Sequence, residues 1–127
     1  MFFALAALLF SLCASARSLS DTESRCAYLA ALGYQADASS EDLREILLPK
    51  EFDRILQDYN ALQLSQGFDL RPFAGKSCLC CSYDLTGFPG RDGRVIATLY
   101  IRRGRVIAGD IHTAAADGFI SPLLPER

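Results

Sequence analysis

The sequence lacks most of the features by which enzymes and nucleic-acid-binding proteins are recognised. Its 127 residues include one histidine, so a Ser-His-Asp or Cys-His arrangement would have to use His112. No glycine-rich phosphate loop, HExxH motif or pair of CxxC motifs occurs along the chain. The formal net charge is −2, and a chain so close to neutral gives no reason to expect nucleic-acid binding. These absences favour a protein without catalytic residues, and we expect no cofactor.

The segment Met1–Ala16 contains no charged side chain. It is almost entirely apolar and ends in Ala14-Ser15-Ala16, which is typical of the cleavage site of a secretory signal peptide. It is shorter than the roughly 20 apolar residues that span a bilayer. We therefore expect a cleaved signal with a mature N-terminus near Arg17, in a protein that is secreted or lies on the extracytoplasmic face of the membrane. The alternatives are an uncleaved anchor, which would be the only contact with the membrane, and a buried helix.

Residues 17–127 are long enough to form one domain around a single core. The first helix is expected to begin at Ser20, because Ser20-Asp21-Thr22-Glu23 has the spacing of a capping box. Gly33 ends this helix. Tyr34–Asp37 is then expected to be a short strand, which turns back at Ala38–Ser40 into a second strand at Arg44–Leu48. These two strands are expected to form a hairpin.

A second, longer helix is the clearest element of the sequence. Between Lys50 and Gln66 the apolar residues recur at i, i+3, i+4, i+7 and i+10, which predicts one buried stripe. The stripe consists of Phe52, Ile55, Leu56, Tyr59 and Leu62. Leu56 and Tyr59 are expected to lie at the centre of the core, against Leu99 and Ile101.

Three further strands are expected to complete the sheet. Ser77–Leu85 alternates in polarity, and Val95–Arg102 and Arg105–His112 are expected to form a hairpin around the two-residue turn Arg103-Gly104. The chain thus reads as helix, hairpin, helix and a three-strand meander. This order predicts an α+β fold in which the main amphipathic helix packs across an antiparallel sheet and the N-terminal helix is shorter.

The register of the second hairpin determines which side chains share a face of the sheet. Counting back from the turn places Leu99 opposite Ala108. Asp110 and His112 are then expected side by side on the apolar face, at the end far from the turn. An acid on such a face must either make a structural hydrogen bond or lie at an open edge, where it can contact a ligand.

Four cysteines lie beyond the N-terminal segment, namely Cys26, Cys78, Cys80 and Cys81. Four cysteines permit three disulfide connectivities, but only a bridge from Cys26 to one of the others has reasonable geometry. Cys81 is expected to be buried, whereas Cys78 and Cys80 are expected on the open face. We expect no bound metal. The alternative is a metal site in which Cys78, Cys80 and His112 supply three soft ligands.

The polar residues best suited to bind a ligand lie beside the apolar stripe of the longer helix. Asn60, Gln63 and Gln66 recur every three residues, and their carboxamides would suit a peptide backbone or a sugar. Asp69 follows them in the next loop. The alternative is that the amides satisfy carbonyls of the loop and that Asp69 caps its turn. With Asp110, these residues are the candidate ligand-binding set.

A set of short motifs extends over most of the chain. They are Leu32-Gly33-Tyr34, Ile46-Leu47-Leu48-Pro49, Glu51-Phe52-Asp53, Tyr59-Asn60-Ala61-Leu62-Gln63, Gln66-Gly67-Phe68-Asp69-Leu70, Phe73-Ala74-Gly75-Lys76, Gly109-Asp110-Ile111 and Asp117-Gly118-Phe119. Between Arg25 and Leu123 the chain thereby resembles a family of small bacterial envelope proteins, known only as domain of unknown function forty-eight thirty. The resemblance implies a signal or anchor and an envelope location, and it implies no activity. Relatives tend to lack Cys78–Cys81 and His112, so the resemblance assigns these residues no catalytic role.

The sequence therefore predicts a non-catalytic module of the cell envelope that binds a protein or a cell-wall component. The alternative is an envelope protein with thiol-dependent redox or metal-binding chemistry, which would use Cys78, Cys80 and Cys81.

Overall fold

An antiparallel sheet is the centre of the fold. The computed structural model describes residues 18–87, 94–114 and 118–124, so the predicted signal segment lies outside the described residues. Within these ranges six strands pair in the order β1-β3-β4-β5-β6, with β2 also paired to β3. This confirms an α+β fold with one main helix and a shorter one. The elements are α1 (Thr22–Ala31), β1 (Gln35–Ala36), β2 (Asp42–Leu47), α2 (Arg54–Ser65), β3 (Ser77–Thr86), β4 (Val95–Arg102), β5 (Arg105–Thr113) and β6 (Ile120–Pro122).

Each of the two α-helices in the described residues begins directly after an aspartate. The cap of α1 is Asp21, one residue later than the predicted Ser20, and its carboxylate accepts a hydrogen bond from the N–H of Ser24 at 2.7 Å. The cap of α2 is Asp53, whose carboxylate accepts from the N–H of Leu56 at 2.8 Å. In each helix the side chain satisfies a backbone donor that has no partner in the first turn.

The predicted hairpin of β1 and β2 does not form. Both strands pair with β3, one after the other. The reason is the turn between them, where the carboxylate of Asp37 accepts from the N–H of Ser39 at 3.0 Å and winds residues 38–40 into a 3₁₀ turn. The hydroxyl of Ser40 then accepts from the N–H of Asp84 at 2.7 Å, in place of a strand partner. The chain therefore leaves β3 for three residues and returns to it.

The hairpin of β4 and β5 forms around the predicted turn. Arg103 and Gly104 have φ values of 52° and 75°, which is the conformation of a type I′ turn. Arg102 lies opposite Arg105, as the sequence predicts. Ile101 still lies opposite Val106, but the register shifts between Ile101 and Tyr100, and Ile107 becomes an extra residue without an opposite partner. This residue is a β-bulge.

The bulge moves part of β5 to the other face of the sheet. Leu99 lies opposite Gly109 rather than Ala108. Because side chains alternate between faces, Asp110 and His112 share a face that is not the face of Leu99. The prediction that these two residues lie on the apolar face with Leu99 is therefore wrong.

The two faces of the sheet bear separate cores. Leu29 of α1 packs in one core with Leu99 and Ile101, whereas Leu56 and Tyr59 of α2 pack against the other. The predicted contact of Leu56 and Tyr59 with Leu99 and Ile101 is therefore wrong. α1 therefore covers one face of the sheet and α2 covers the other.

The buried side of α2 is largely polar. Asn60 and Gln63 are the buried residues of the helix, and Gln66 directly after it is buried as well. Ile55 is 80% exposed, so its place in the predicted buried stripe is wrong. The buried side of α2 is polar because the helix packs against backbone groups of β5 as well as against apolar side chains.

A buried ion pair holds α1 on the sheet. Arg25 is buried, and its guanidinium donates to the hydroxyl of Tyr83 at 2.8 Å and to the carboxylate of Glu41 at 3.1 Å. Tyr83 also donates to Glu41. Burial opposes the charge of Glu41, but hydrogen bonds from Tyr83, Thr22 and Arg25 outweigh it and lower the pKa of this carboxyl. The network joins α1 to β3 and to the segment before β2.

Candidate functional site

Gln63 takes the place of a strand residue at the edge of β5. β6 pairs with residues 110–112 of β5, and the residue before these, Gly109, has no described strand beside it on that edge. The N–H of Gly109 donates to Oε1 of Gln63 at 2.9 Å, and Nε2 of Gln63 donates to the carbonyl of Gly109 at 3.0 Å. These are the two bonds that a residue of a neighbouring strand would exchange. Gln63 therefore extends the edge that β6 begins.

Gln66 continues this polar contact toward the C-terminal segment. Its Nε2 donates to the carbonyl of Gly109 at 2.8 Å and to Oε1 of Gln63 at 3.0 Å. Its Oε1 accepts from the N–H of Leu124 at 2.8 Å. Both glutamine side chains are completely buried. Their amides thus join α2, β5 and the segment after β6.

Asn60 and Asp69 organise the loop that follows α2. The buried amide of Asn60 accepts from the N–H of Leu70 at 2.7 Å and donates to Asp69 at 3.0 Å. Asp69 also accepts from the N–H of Arg71 at 3.0 Å and forms an ion pair with its guanidinium at 2.8 Å. Hydrogen bonds from Arg71 and Asn60 hold the pKa of the Asp69 carboxyl well below its usual range.

These contacts favour the structural alternative for the candidate ligand-binding residues. Asn60, Gln63 and Gln66 direct their amides to other groups of the protein, and Asp69 caps the turn before Arg71. Within the described residues, no buried side-chain nitrogen or oxygen is left without a hydrogen-bond partner. A ligand at these four residues would have to displace bonds that hold the fold together.

Asp110 joins α2 to β5 through side chains. Its carboxylate is buried, lies 2.7 Å from Nδ1 of His112 and accepts a short hydrogen bond from the hydroxyl of Tyr59. Burial and the negative charge of Asp110 raise the pKa of Tyr59. The ring of Tyr59 also meets the ring of Tyr100 edge-on, with centroids 5.9 Å apart. The expectation that Asp110 and His112 lie side by side is confirmed.

The Asp110–His112 pair can fix the orientation and tautomer of the imidazole. The His112 side chain is 33% exposed, so the ring reaches the surface. Within residues 18–87, 94–114 and 118–124, no hydroxyl or thiol is hydrogen-bonded to His112. The described part of the chain thus holds an Asp-His pair to which no described nucleophile is hydrogen-bonded.

The four cysteines in the described part of the chain are free thiols. Cys81 is buried as predicted, but the prediction that Cys78 is open is wrong, because it packs in the core beneath α2. Cys26 and Cys80 are half-buried. Burial raises the pKa of all four thiols, and that of Cys81 to about 11. A raised pKa opposes the thiolate form on which nucleophilic and redox chemistry depend.

The proposed metal ligands do not come together. Cys80 lies in one cross-strand row with Tyr100 and Ala108, and His112 lies four residues further along β5. Four strand residues cover about 13 Å, which is far beyond the reach of a shared metal ion. Across the described ranges, no three His, Cys, Asp or Glu residues are grouped so that they could hold a metal.

The open edge of β2 is a surface that the sequence did not reveal. β2 pairs with β3 on one side and with no other described strand. Leu48, directly after β2, exchanges backbone hydrogen bonds with the segment before β3 at 2.9 and 3.0 Å. Because backbone groups alternate in direction, the N–H and C=O of Leu47, Glu45 and Leu43 point away from β3.

The side chains along this edge form a pattern on one face. Ile46 and Leu48 contact the core beneath α2, so Leu43, Glu45 and Leu47 lie on the opposite face. Leu43 is 45% exposed and Leu47 is 72% exposed. Glu45 is exposed between them and forms no ion pair with another described residue. We call Leu43, Glu45 and Leu47, with their outward backbone groups, the β2 edge.

A groove of about 460 Å³ opens beside α2. Lys50 and Phe52, which follow β2 in the chain, form one part of its wall. The remaining lining residues are Gln57, Asn60, Ala61, Leu64, Arg71 and Ala74.

No protein-family model matches the chain, and no curated protein or solved structure matches it. The resemblance to an envelope family therefore stays a prediction from the motifs. Of the helices in the described ranges, none is both long enough and apolar enough to cross a membrane.

Proposed function

We propose that this protein is a non-catalytic module of the cell envelope that binds a partner protein, and that it accepts an extended segment of the partner along the β2 edge. The observation that carries the proposal is the row of outward backbone groups at Leu43, Glu45 and Leu47. Such groups bind an added strand by main-chain hydrogen bonds, which is a common mode of peptide recognition. The apolar segment Met1–Ala16 supports the envelope location.

The side chains of the β2 edge define the chemistry of the partner. Leu43 and Leu47 flank Glu45 on one face, and side chains directly opposite one another on paired strands interact. An apolar residue opposite each leucine and a basic residue opposite Glu45 therefore complement this surface. The expected partner segment alternates in the order apolar, polar, basic, polar, apolar.

The exposure of two leucines supports a partner at this position. Natural proteins protect sheet edges with charge, proline or short strands, because an open edge pairs readily with other chains. The edge has some of this protection, since Asp42 and Arg44 form an exposed ion pair at 3.0 Å and Pro49 lies just beyond Leu48. Leu47 nevertheless remains 72% exposed. Two exposed leucines on the same face of an unpaired edge, Leu43 and Leu47, give an added strand apolar side chains to cover.

The other candidate functions find less support among the contacts. A cell-wall sugar at Asn60, Gln63 and Gln66 would compete with the internal hydrogen bonds of their amides. Thiol chemistry is disfavoured by the burial that raises the pKa of the cysteines, including Cys78 and Cys80.

The test uses the full chain and a capped synthetic peptide, Thr-Val-Thr-Lys-Thr-Val-Thr, followed by amide hydrogen exchange. In the free protein the amides of Leu43, Glu45 and Leu47 should exchange rapidly, and the peptide should protect them. The amides of Arg44 and Ile46, which already point toward β3, should be protected with or without peptide. Exchange at the first three amides that does not change at saturating peptide would overturn the proposal.

Two substitutions of Glu45 separate the backbone contribution from the charge. Glu45→Pro removes an outward N–H and is tolerated on an edge, so it should abolish peptide binding while the protein stays folded. Glu45→Ala keeps the N–H and should weaken binding only about two- to fivefold, through loss of one exposed charge pair. Binding that survives Glu45→Pro would contradict strand addition. Concentration-dependent dimers that Glu45→Pro dissociates would identify a second copy, rather than a different protein, as the occupant.

A further inference from the structure

We infer that, in the form of the protein that keeps Met1–Ala16, the turn of the β4–β5 hairpin contacts the headgroups of anionic phospholipids when this apolar segment enters a bilayer, and that it thereby adds a second membrane contact to the one expected from the segment alone. We call residues Arg102–Arg105 the hairpin tip. This contact is separate from the β2 edge and does not depend on a protein partner.

The hairpin tip holds the beginning of the described chain. The N–H of Leu19 donates to the carbonyl of Gly104 at 2.9 Å. Ser18 packs so closely on Gly104 that a Cβ atom there would collide with its side chain. Gly104 is thus required both for its positive φ of 75° and for this close approach.

Chain length fixes the apolar segment near the hairpin tip. Ala16 precedes Leu19 by three residues in the sequence. Three residues span at most about 11 Å when fully extended. The end of the apolar segment therefore lies within that distance of Leu19 in any conformation of the intervening residues. A bilayer that accepts the segment must then lie close to the hairpin tip.

The charge of the hairpin tip matches an anionic surface. Arg103 and Arg105 are exposed, and neither they nor Arg102 form an ion pair with a described carboxylate. Arg102 donates instead to the carbonyl of Ser77 at 2.7 Å. A basic residue beside an anionic membrane strengthens binding roughly fivefold. The tip would thus add charge-dependent affinity to the apolar affinity of the segment.

The test measures flotation of the full chain with vesicles of phosphatidylcholine, alone or mixed with phosphatidylglycerol. Arg103→Asn with Arg105→Gln removes two charges, and asparagine tolerates the positive φ of the turn. This double variant should bind the anionic vesicles roughly 30-fold more weakly, while its binding to neutral vesicles is unchanged. Added salt should reduce wild-type binding to the anionic vesicles alone.

The matched control removes the same charge elsewhere. Arg44→Gln with Arg94→Gln changes two exposed arginines outside the hairpin tip, and Arg94 precedes the opposite end of β4. The control should keep the wild-type preference for anionic vesicles, and both variants should unfold at the wild-type temperature. Equal losses in both double variants would mean a response to net charge, and would overturn the assignment to the hairpin tip. The proposal would also be overturned if the tip variant bound anionic vesicles as strongly as the wild type, or if the wild type bound neither kind of vesicle.

Discussion

The side-chain amide of Gln63 and the backbone of Gly109 form a reciprocal pair of hydrogen bonds at 2.9 and 3.0 Å. A helix side chain thereby satisfies a buried sheet residue in the way a strand would. Gly109 also has no room for a side chain, since a Cβ atom would lie 2.6 Å from Cδ2 of Leu123. Gln63 thus covers the backbone of Gly109 at the edge of the sheet, and Leu123 fills the space that a side chain at this position would need.

The first prediction concerns this pair. Gln63→Leu leaves the N–H of Gly109 buried without its partner and removes one of the bonds to its carbonyl, so the free energy of unfolding should fall by about 2–5 kcal/mol. Gln57→Leu changes an exposed glutamine of the same helix and should cost less than about 1 kcal/mol. Urea denaturation of both variants measures the difference. Equal stabilities would mean that Gln63 does not hold the edge of β5.

A second prediction distinguishes the buried and exposed residues of the two helices. Leu29 is completely buried, so Leu29→Ala should cost about 2–5 kcal/mol. Leu56 is half-buried, and Leu56→Ala should cost less than Leu29→Ala. Ile55→Ala should change stability by less than about 0.5 kcal/mol, since this side chain is 80% exposed. A large loss at Ile55 in thermal or urea unfolding would contradict the orientation of α2.

The third prediction concerns acid stability through Glu41. Its pKa is lowered from the ordinary value of 4.5, so its ionised form stabilises the fold fully above that pH. The contribution is lost as the pH falls through the lower, folded-state pKa. Glu41→Gln leaves Arg25 buried without its partner and should cost about 3–5 kcal/mol at neutral pH. In urea titrations, the gap between wild type and variant should narrow as the pH falls below 4.5. If the difference in unfolding free energy between wild type and variant grew as the pH fell, the ionised Glu41 would not be the stabilising form.

The fourth prediction orders the cysteines by reactivity. Cys26 and Cys80 are half-buried, whereas Cys78 and Cys81 are buried, so the first two should react sooner with a thiol reagent. All four should react slowly at neutral pH because burial raises their pKa values. Mass spectrometry of the native protein after timed labelling measures the extent of modification at each cysteine. If Cys81 reacted fastest and His112→Ala removed that reactivity, a Cys-His enzyme would replace the binding module.

Local patterns in the sequence predicted both described helices, five of the six described strands and the pairing of β3, β4 and β5, but not the strand β6. The turn at Arg103-Gly104 and the pairing of Arg102 with Arg105 follow from two residues with positive φ. The face of Asp110 did not follow, because one extra residue at Ile107 reverses the alternation. A bulge inside an apolar strand has no composition signal, so counting from the turn gave the wrong face.

The candidate site was harder to predict than the fold. The spacing of Asn60, Gln63 and Gln66 correctly marked residues that share a side of α2, but spacing does not say what that side contacts. The two strands before α2 were misjudged because Asp37 caps a turn, and a capped turn reads in sequence like a reversal. The open edge of β2 depends on pairing between distant strands, which no local pattern encodes.

The 3₁₀ turn between β1 and β2 also limits what the open edge can nucleate. Residues 38–40 leave the plane of the sheet, so the edge that begins at Asp42 has six strand residues and stops at Leu47. Fibrils stack segments of about six or seven residues that carry little charge, so both the length and the charge of an open edge decide whether it can act as a template. The turn keeps the edge from growing longer, and three of its six residues, Asp42, Arg44 and Glu45, are charged, which makes the edge a poor template for stacking. The same turn that defeats the predicted hairpin thereby protects the protein against aggregation along its most exposed strand.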